Sequence, residues 1–245
     1  MKGAPLILLA PSEDKASGGA RARLPETPAQ RWVRERLVAL AKTGSPEALK
    51  KVFAVKDLAL AKARSEALAL KGPSLKLTAP LLPALARYTG VAFQALDAAT
   101  LPPAAWARVY ILSNLRGLVR GDELVPPYKL KLAAIPGLKA HWRKTLPEQL
   151  AALPEGPLWE LLPGDVADLL KGWERPRHTV EIVDAQGRTI SHFSKQYRGL
   201  VARWILQHQQ GDPRKVLKGR IPGCRWAGVT ENDRGGLALR LELEP

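Results

Sequence analysis

Pro11-Ser12-Glu13-Asp14-Lys15 directly follows Leu6 to Ala10, a short apolar run that reads as a buried strand. A hydroxyl, carboxylates and a lysine at a strand-to-loop junction can hold an anionic ligand or move a proton, which makes Ser12 and Lys15 candidates for chemistry. The same residues equally suit a turn closed by its own side chains. A second candidate is Ser194 to His208, helical by period, where Tyr197, Leu200, Val201, Trp204 and Ile205 form an apolar stripe. Lys195, Arg198, Gly199 and Ala202 take the opposite face, with Arg203 on its flank. Cations bordering two very small residues would let an anion approach the helix backbone, and Lys195 lies in the first turn, where free N–H groups favour anions. A mid-helix glycine costs about 1 kcal/mol and wants a reason. The plain alternative is an amphipathic surface helix with solvated cations.

A third candidate spans about residues 46–70, two short helices around the break Ala54-Val55-Lys56. A helix-hairpin-helix pair presents backbone N–H groups and flanking cations to consecutive phosphates, and Lys50, Lys51, Lys56, Lys62 and Arg64 would supply the charge. Helical hairpins are also common in any α-rich core. Other chemistries lack their residues. The four histidines show no close metal-ligand spacing, Cys224 is the only cysteine, and no metal site or cofactor is expected. There is no Gly-x-Gly-x-x-Gly, no Walker loop and no Gly-x-Ser-x-Gly elbow. His192 beside Ser191 reads more simply as a strand-end residue than as a base.

The charge narrows the partners. The 245 residues carry 38 Lys+Arg against 23 Asp+Glu, a formal charge of +15, in an otherwise ordinary globular composition. Residues 31–87 hold 12 basic and 4 acidic side chains, and residues 185–230 hold 9 basic and 1 acidic, so the two windows contain the whole excess. Brought together, they would make a basic cleft suited to a polyanion. The apolar run near the start is too short to span a bilayer and lacks the features of a signal peptide, so a cytoplasmic protein is expected.

Elements that must position these residues follow from pattern. Trp32, Val33, Leu37 and Leu40 fall at helical spacing over 29–42, and Ser45-Pro46 opens a helix toward Phe53. Residues 108–113 and 158–162 read as buried strands. His178 to Phe193 reads as a hairpin turning at Asp184-Ala-Gln-Gly187, and Leu237 to Leu243 alternates as a strand. The expectation is one mixed α/β (α+β) domain over 1–245, a mixed sheet with a hairpin surrounded by helices, and not a doubly wound sheet.

Several blocks resemble the bacterial YaaA-type peroxide stress proteins. In order they are Leu9-Ala-Pro-Ser-Glu-Asp-Lys15; the helical pair from Leu49 to Arg64; Tyr88-Thr-Gly-Val-Ala-Phe-Gln-Ala-Leu-Asp97; Ile111 to Arg120, continuing through Asp122 to Pro127-Tyr-Lys129; Gly137 to Arg143; and Ser191 to Arg203. The resemblance implies a single mixed α/β domain with a basic cleft for double-stranded DNA, and a role in limiting damage by hydrogen peroxide and free iron. It marks Ser12, Lys15, Arg120, Tyr128, His192, Lys195, Arg198 and Arg203, with Lys129 beside them as a further pocket candidate. One departure matters: the family's Asp-Leu-Arg-Ser-x-x-Tyr is replaced here by Glu160-Leu-Leu-Pro-Gly-Asp-Val166. Two functions remain. The preferred one is duplex binding through the backbone, largely without sequence specificity. The alternative is an enzyme on a nucleotide or nucleobase, with Ser12, Lys15, Arg120 and His192 lining a pocket beneath the cleft.

Overall fold

The computed structural model describes residues 3–72, 79–190 and 194–244. Its strands are Leu6–Leu9 (β1), Leu82–Pro83 (β2), Val109–Ser113 (β3), Gly117–Arg120 (β4), Leu124–Val125 (β5), Leu158–Leu161 (β6), His178–Val183 (β7), Cys224–Glu231 (β8) and Leu237–Leu243 (β9). Its helices are Pro28–Thr43 (α1), Pro46–Phe53 (α2), Asp57–Leu68 (α3), Ala84–Arg87 (α4), Val91–Leu96 (α5), Pro103–Trp106 (α6), Leu138–Ala151 (α7), Gly164–Ala167 (α8), Ser194–Gln207 (α9) and Pro213–Val216 (α10). Seven strands make one sheet in the order β4-β3-β1-β6-β7-β9-β8, while β2 and β5 form a separate antiparallel pair.

The apolar runs explain the middle of this sheet. β1, β3 and β6 are buried at every position, as strands covered on both faces must be. From β3 to β9 every pairing is parallel, and only the edge strands β4 and β8 run antiparallel to their neighbours. This corrects the expected hairpin over 178–193. The chain does turn at Asp184, whose backbone N–H bonds the Arg188 carbonyl, and Val183 bridges Thr189. The ladder of β7, however, is made with β6 and β9, both parallel, and residues 191–193 lie outside the described residues. The hairpin in the sheet is β8–β9, closed by Asn232, whose side-chain oxygen accepts the N–H groups of Arg234 and Gly236. The buried apolar residues form one continuous cluster from Leu6 to Leu241.

Local sequence sets the helices near β1. Thr27 and Gln30 cap α1 reciprocally, and Ser45 caps α2 with Pro46 in its first turn. Ala54 takes a left-handed conformation at φ 55, which ends α2 and turns the chain into α3. Arg64 of α3 then donates to the Ala41 and Lys42 carbonyls at the end of α1, at 2.7 and 3.0 Å.

Chain order creates a crevice. From β1 the chain proceeds to β3 on one side and later reaches β6 on the other. In open α/β sheets such a reversal leaves a gap outside the carboxyl ends of the strands, where ligands bind. The Pro-Ser-Glu-Asp-Lys loop leaves β1 at that end.

Candidate functional site

The crevice holds a cavity of about 1070 Å³. Its wall takes the 11–15 loop after β1, Asn114 after β3, Pro163 and Asp165 after β6, the segment 128–133, the first turns of α7, and Lys195 and Arg198 of α9. Phe53 and Ala54 bring the end of α2 to the same wall. The second basic window thus gives the cavity Lys195 and Arg198, while the first reaches it only through the uncharged Phe53 and Ala54.

The loop after β1 is both a self-closed turn and a cavity wall. The Ser12 hydroxyl donates to the Asp14 carbonyl at 2.6 Å, and Lys15 Nζ donates to the Ser12 carbonyl at 2.9 Å. The loop docks on the Tyr88-Thr89-Gly90 segment, where Lys15 bridges Tyr88 and the Thr89 N–H bonds the Asp14 carbonyl. A Cβ at Gly90 would lie 2.5 Å from that of Ser12, so glycine is required for the contact.

Beneath Lys15 lies a buried hydroxyl chain. The Tyr88 and Tyr128 hydroxyls are 2.9 Å apart, and Tyr128 is 2.9 Å from the Ser113 hydroxyl, which accepts the backbone N–H groups of Leu115 and Arg116. Burial raises both phenols above their ordinary range, so they are neutral. Lys15 Nζ stands 4.1 Å from the Tyr128 ring centre and 5.2 Å from that of Tyr88. Those rings favour an ammonium, but burial, seconded by the charge of Lys129, outweighs them and lowers Lys15 to about 7. Asp14 does not reverse this, since its carboxylate pairs with Lys129 at 3.3 Å.

The other cations differ in what already holds them. Lys139 and Arg143 both reach Asp168, at 2.7 and 3.8 Å. Arg198 donates to the Ser194 hydroxyl at 3.3 Å, and burial lowers its pKa despite Asp165. Lys131 and Lys195 are exposed and have no ion-pair partner among the described residues. Among the described residues no three His, Cys, Asp or Glu side chains gather as a metal site.

Several candidates from the sequence sit elsewhere. Arg120 pairs with Asp122 at 2.5 Å and lies opposite Tyr110, toward the start of β3 and away from the cavity end. Arg203 donates to the Leu96 and Asp97 carbonyls and pairs with Asp97, capping α5. Gly199 does not open the helix to an anion: a Cβ there would come 2.1 Å from the Ala92 carbonyl of α5, and Ala202 is buried too. Close packing of α9 on α5 is what the glycine serves. In the α2–α3 pair, Lys50 bonds Asp57, Lys62 approaches Glu66 at 3.9 Å and Arg64 is spent on α1, which leaves Lys51 and Lys56 exposed. His192 lies outside the described residues. Ser12, Lys15, Tyr128, Lys129, Lys195 and Arg198 do come together. Sequence reasoning missed Lys131, two residues past the block that ends at Lys129, and Tyr88, whose hydroxyl no spacing rule reveals.

The departure at 160–166 falls on this wall. Leu161, Pro163, Asp165 and Val166 line the cavity. The Glu160 carboxylate is buried between Arg177 at 2.7 Å and Arg234 at 2.6 Å. That carboxylate ties β6 to the residue before β7 and to the turn between β8 and β9.

A family model described as peroxide stress protein YaaA matches residues 6–227. A UPF0246 protein of Corynebacterium efficiens is 36% identical over 97% of this chain and 99% of its own length. One from Streptomyces coelicolor is 33% identical over 82% of each chain. A third, from Corynebacterium glutamicum, is 31% identical over 81% of this chain and 83% of its own. With nearly the whole chain matched and the blocks that carry the match meeting around one cavity, the chain belongs to the peroxide stress protein YaaA family.

Proposed function

We propose that this protein binds duplex DNA through its phosphate backbone, across the basic face onto which the cavity opens. The observation that supports this reading is the shared wall: the end of α2, the 128–133 segment and α9 border one cavity, and they bring Lys131 and Lys195 without carboxylate partners among the described residues. Lys51 and Lys56 are exposed close in sequence to Phe53 and Ala54, the part of α2 that reaches the cavity. Cations free of internal pairs can release counterions from a polyanion at little cost to the fold, whereas Arg64 and Arg203 cannot leave the carbonyls they cap. Unpaired lysines of this kind contact phosphates rather than base edges, so the reading is binding to backbone and shape.

The test is a gel-shift titration of a plain duplex with the parent, a Lys131→Ala/Lys195→Ala variant and an Arg188→Ala/Arg225→Ala control. Loss of both cleft lysines weakens binding about tenfold or more at moderate salt, while the control pair, already held by Asp184 and Glu242, changes it little. Equal loss in both variants would leave only a diffuse charge effect and sink the cleft.

A second reading has its own support. Backbone binding has no use for a buried lysine lowered to about 7, yet such an amine suits chemistry on a ligand seated in the cavity. An enzyme acting on a nucleotide or nucleobase would use Lys15 with Ser12 and Tyr128 around it.

A further inference from the structure

Lys15 is placed as a nucleophile is placed. The residue lines the cavity, and its Nζ is fixed by one hydrogen bond to the Ser12 carbonyl and rests over the ring of Tyr128, whose hydroxyl is itself anchored to Ser113. Among the described residues it makes no ion pair, because Asp14, the adjacent carboxylate, is engaged by Lys129. Lys129, Lys195 and Arg198 border the same space and suit a phosphate on the ligand rather than a second lysine partner. We propose that Lys15 forms an imine with the aldehyde of a phosphorylated sugar held in this cavity. This rests on the reading that the basic cavity accepts a phosphate-bearing ligand, and it adds the reacting group.

The step balances without a further reagent. The amine lone pair attacks the carbonyl carbon and a C–N bond forms. The carbonyl oxygen takes up protons and leaves as water, and the amine gives up its two protons to solvent. The product is a C=N bond joining Lys15 to the sugar. The amine must be neutral at the start. Burial and Lys129, against the opposing charges of Glu66, Asp14 and Glu13, lower it to about 7, so about half of it is neutral at pH 7. The same aldehyde chemistry occurs on a free sugar phosphate and on the ring-opened deoxyribose of an abasic site in DNA.

The experiment traps the imine by reduction. The full chain and a Lys15→Arg variant, which keeps a long basic side chain but cannot form an imine, are incubated with cyanoborohydride and either deoxyribose 5-phosphate or a duplex bearing one abasic site. Intact mass and peptide mapping locate the adduct. The expected result is one adduct on the peptide containing Lys15, formed on the order of a hundred-fold faster at pH 7 than on exposed lysines such as Lys51, and absent from the variant. Its rate levels off above about pH 7 while labelling of exposed lysines keeps rising. The arm that labels names the source of the aldehyde. No adduct on Lys15 in either arm, or equal labelling of the variant, overturns the proposal. A plain-duplex gel shift on the same samples separates the two readings. Sugar-phosphate labelling without duplex binding removes the DNA reading alone, and duplex binding without labelling removes this one alone.

Discussion

Lys15 and Glu160 are both buried ionisable groups, and their surroundings treat them in opposite ways. Glu160 is held between two guanidinium groups, Arg177 at 2.7 Å and Arg234 at 2.6 Å, in a structural pairing. Removing it strands Arg177, which is as buried as its partner, and a buried charge left alone costs about 3–5 kcal/mol. Glu160→Ala should therefore lower the urea midpoint sharply with little change in slope, and a loss under about 1 kcal/mol would show that the arginines find other partners. Lys15 has no such partner, so its charge is what gives way. Between pH 7 and about 10 the unfolded chain holds a proton on this lysine that the folded chain has released, so the group adds stability as pH rises through that window. Below pH 7 both states are protonated and the folded state carries the cost of a buried ammonium. The stability of the parent minus that of Lys15→Met should climb from pH 7 to 10 and stay flat beneath pH 6, measured by denaturant unfolding at fixed ionic strength. A difference constant across the range would mean the amine is solvated in the folded protein.

Among the elements, α9 shows where pattern reading succeeds and where it stops. Its span follows from period, but the faces do not: Gly199 and Ala202, grouped by period with Lys195 and Arg198, are buried, while Tyr197, Leu200 and Trp204 of the apolar stripe are only half-buried. The role of Gly199 does not follow either, because a glycine that admits an anion and one that admits a neighbouring helix look the same in sequence. Only α5, about a hundred residues earlier, decides between them. Gly199→Ala gains about 1 kcal/mol of helix propensity but drives a methyl into the Ala92 carbonyl, and forcing atoms into a packed contact costs about 1–3 kcal/mol. Thermal melting should show a net destabilisation, and a variant as stable as the parent would mean the two helices separate freely. The span of α1, the capped start of α2 and the strands β1, β3, β6 and β9 were legible for a related reason: helical spacing, caps and apolar runs are local signals. Partner choice is not local. β7 alternates and ends in a turn, which suits a hairpin arm, yet the strands beside it come from distant segments, and β8 is too exposed to carry an apolar signature.

For the whole molecule, the parallel middle of the sheet puts the ends of β1, β3 and β6 on one side, so blocks scattered from residue 9 to residue 198 converge there. That convergence explains why the sequence suggested a shared pocket yet misassigned members such as Arg120, which lies away from the cavity end. It also tests the charge argument. If the excess of +15 acted as a diffuse cloud, affinity for DNA would depend on net charge and hardly on which lysine is removed. If the cleft instead meets about six phosphates, the slope of log affinity against log salt should be roughly −5, because each neutralised phosphate releases nearly one counterion. The Lys131→Ala/Lys195→Ala variant should then bind with a slope smaller by about two, since two phosphate contacts are gone. The Arg188→Ala/Arg225→Ala control loses the same formal charge from sites already paired and should keep the parent's slope. Fluorescence anisotropy across a salt series, with all three proteins at one pH, distinguishes the cases. Identical slopes for the two variants would assign the binding to net charge and take the cavity out of the account.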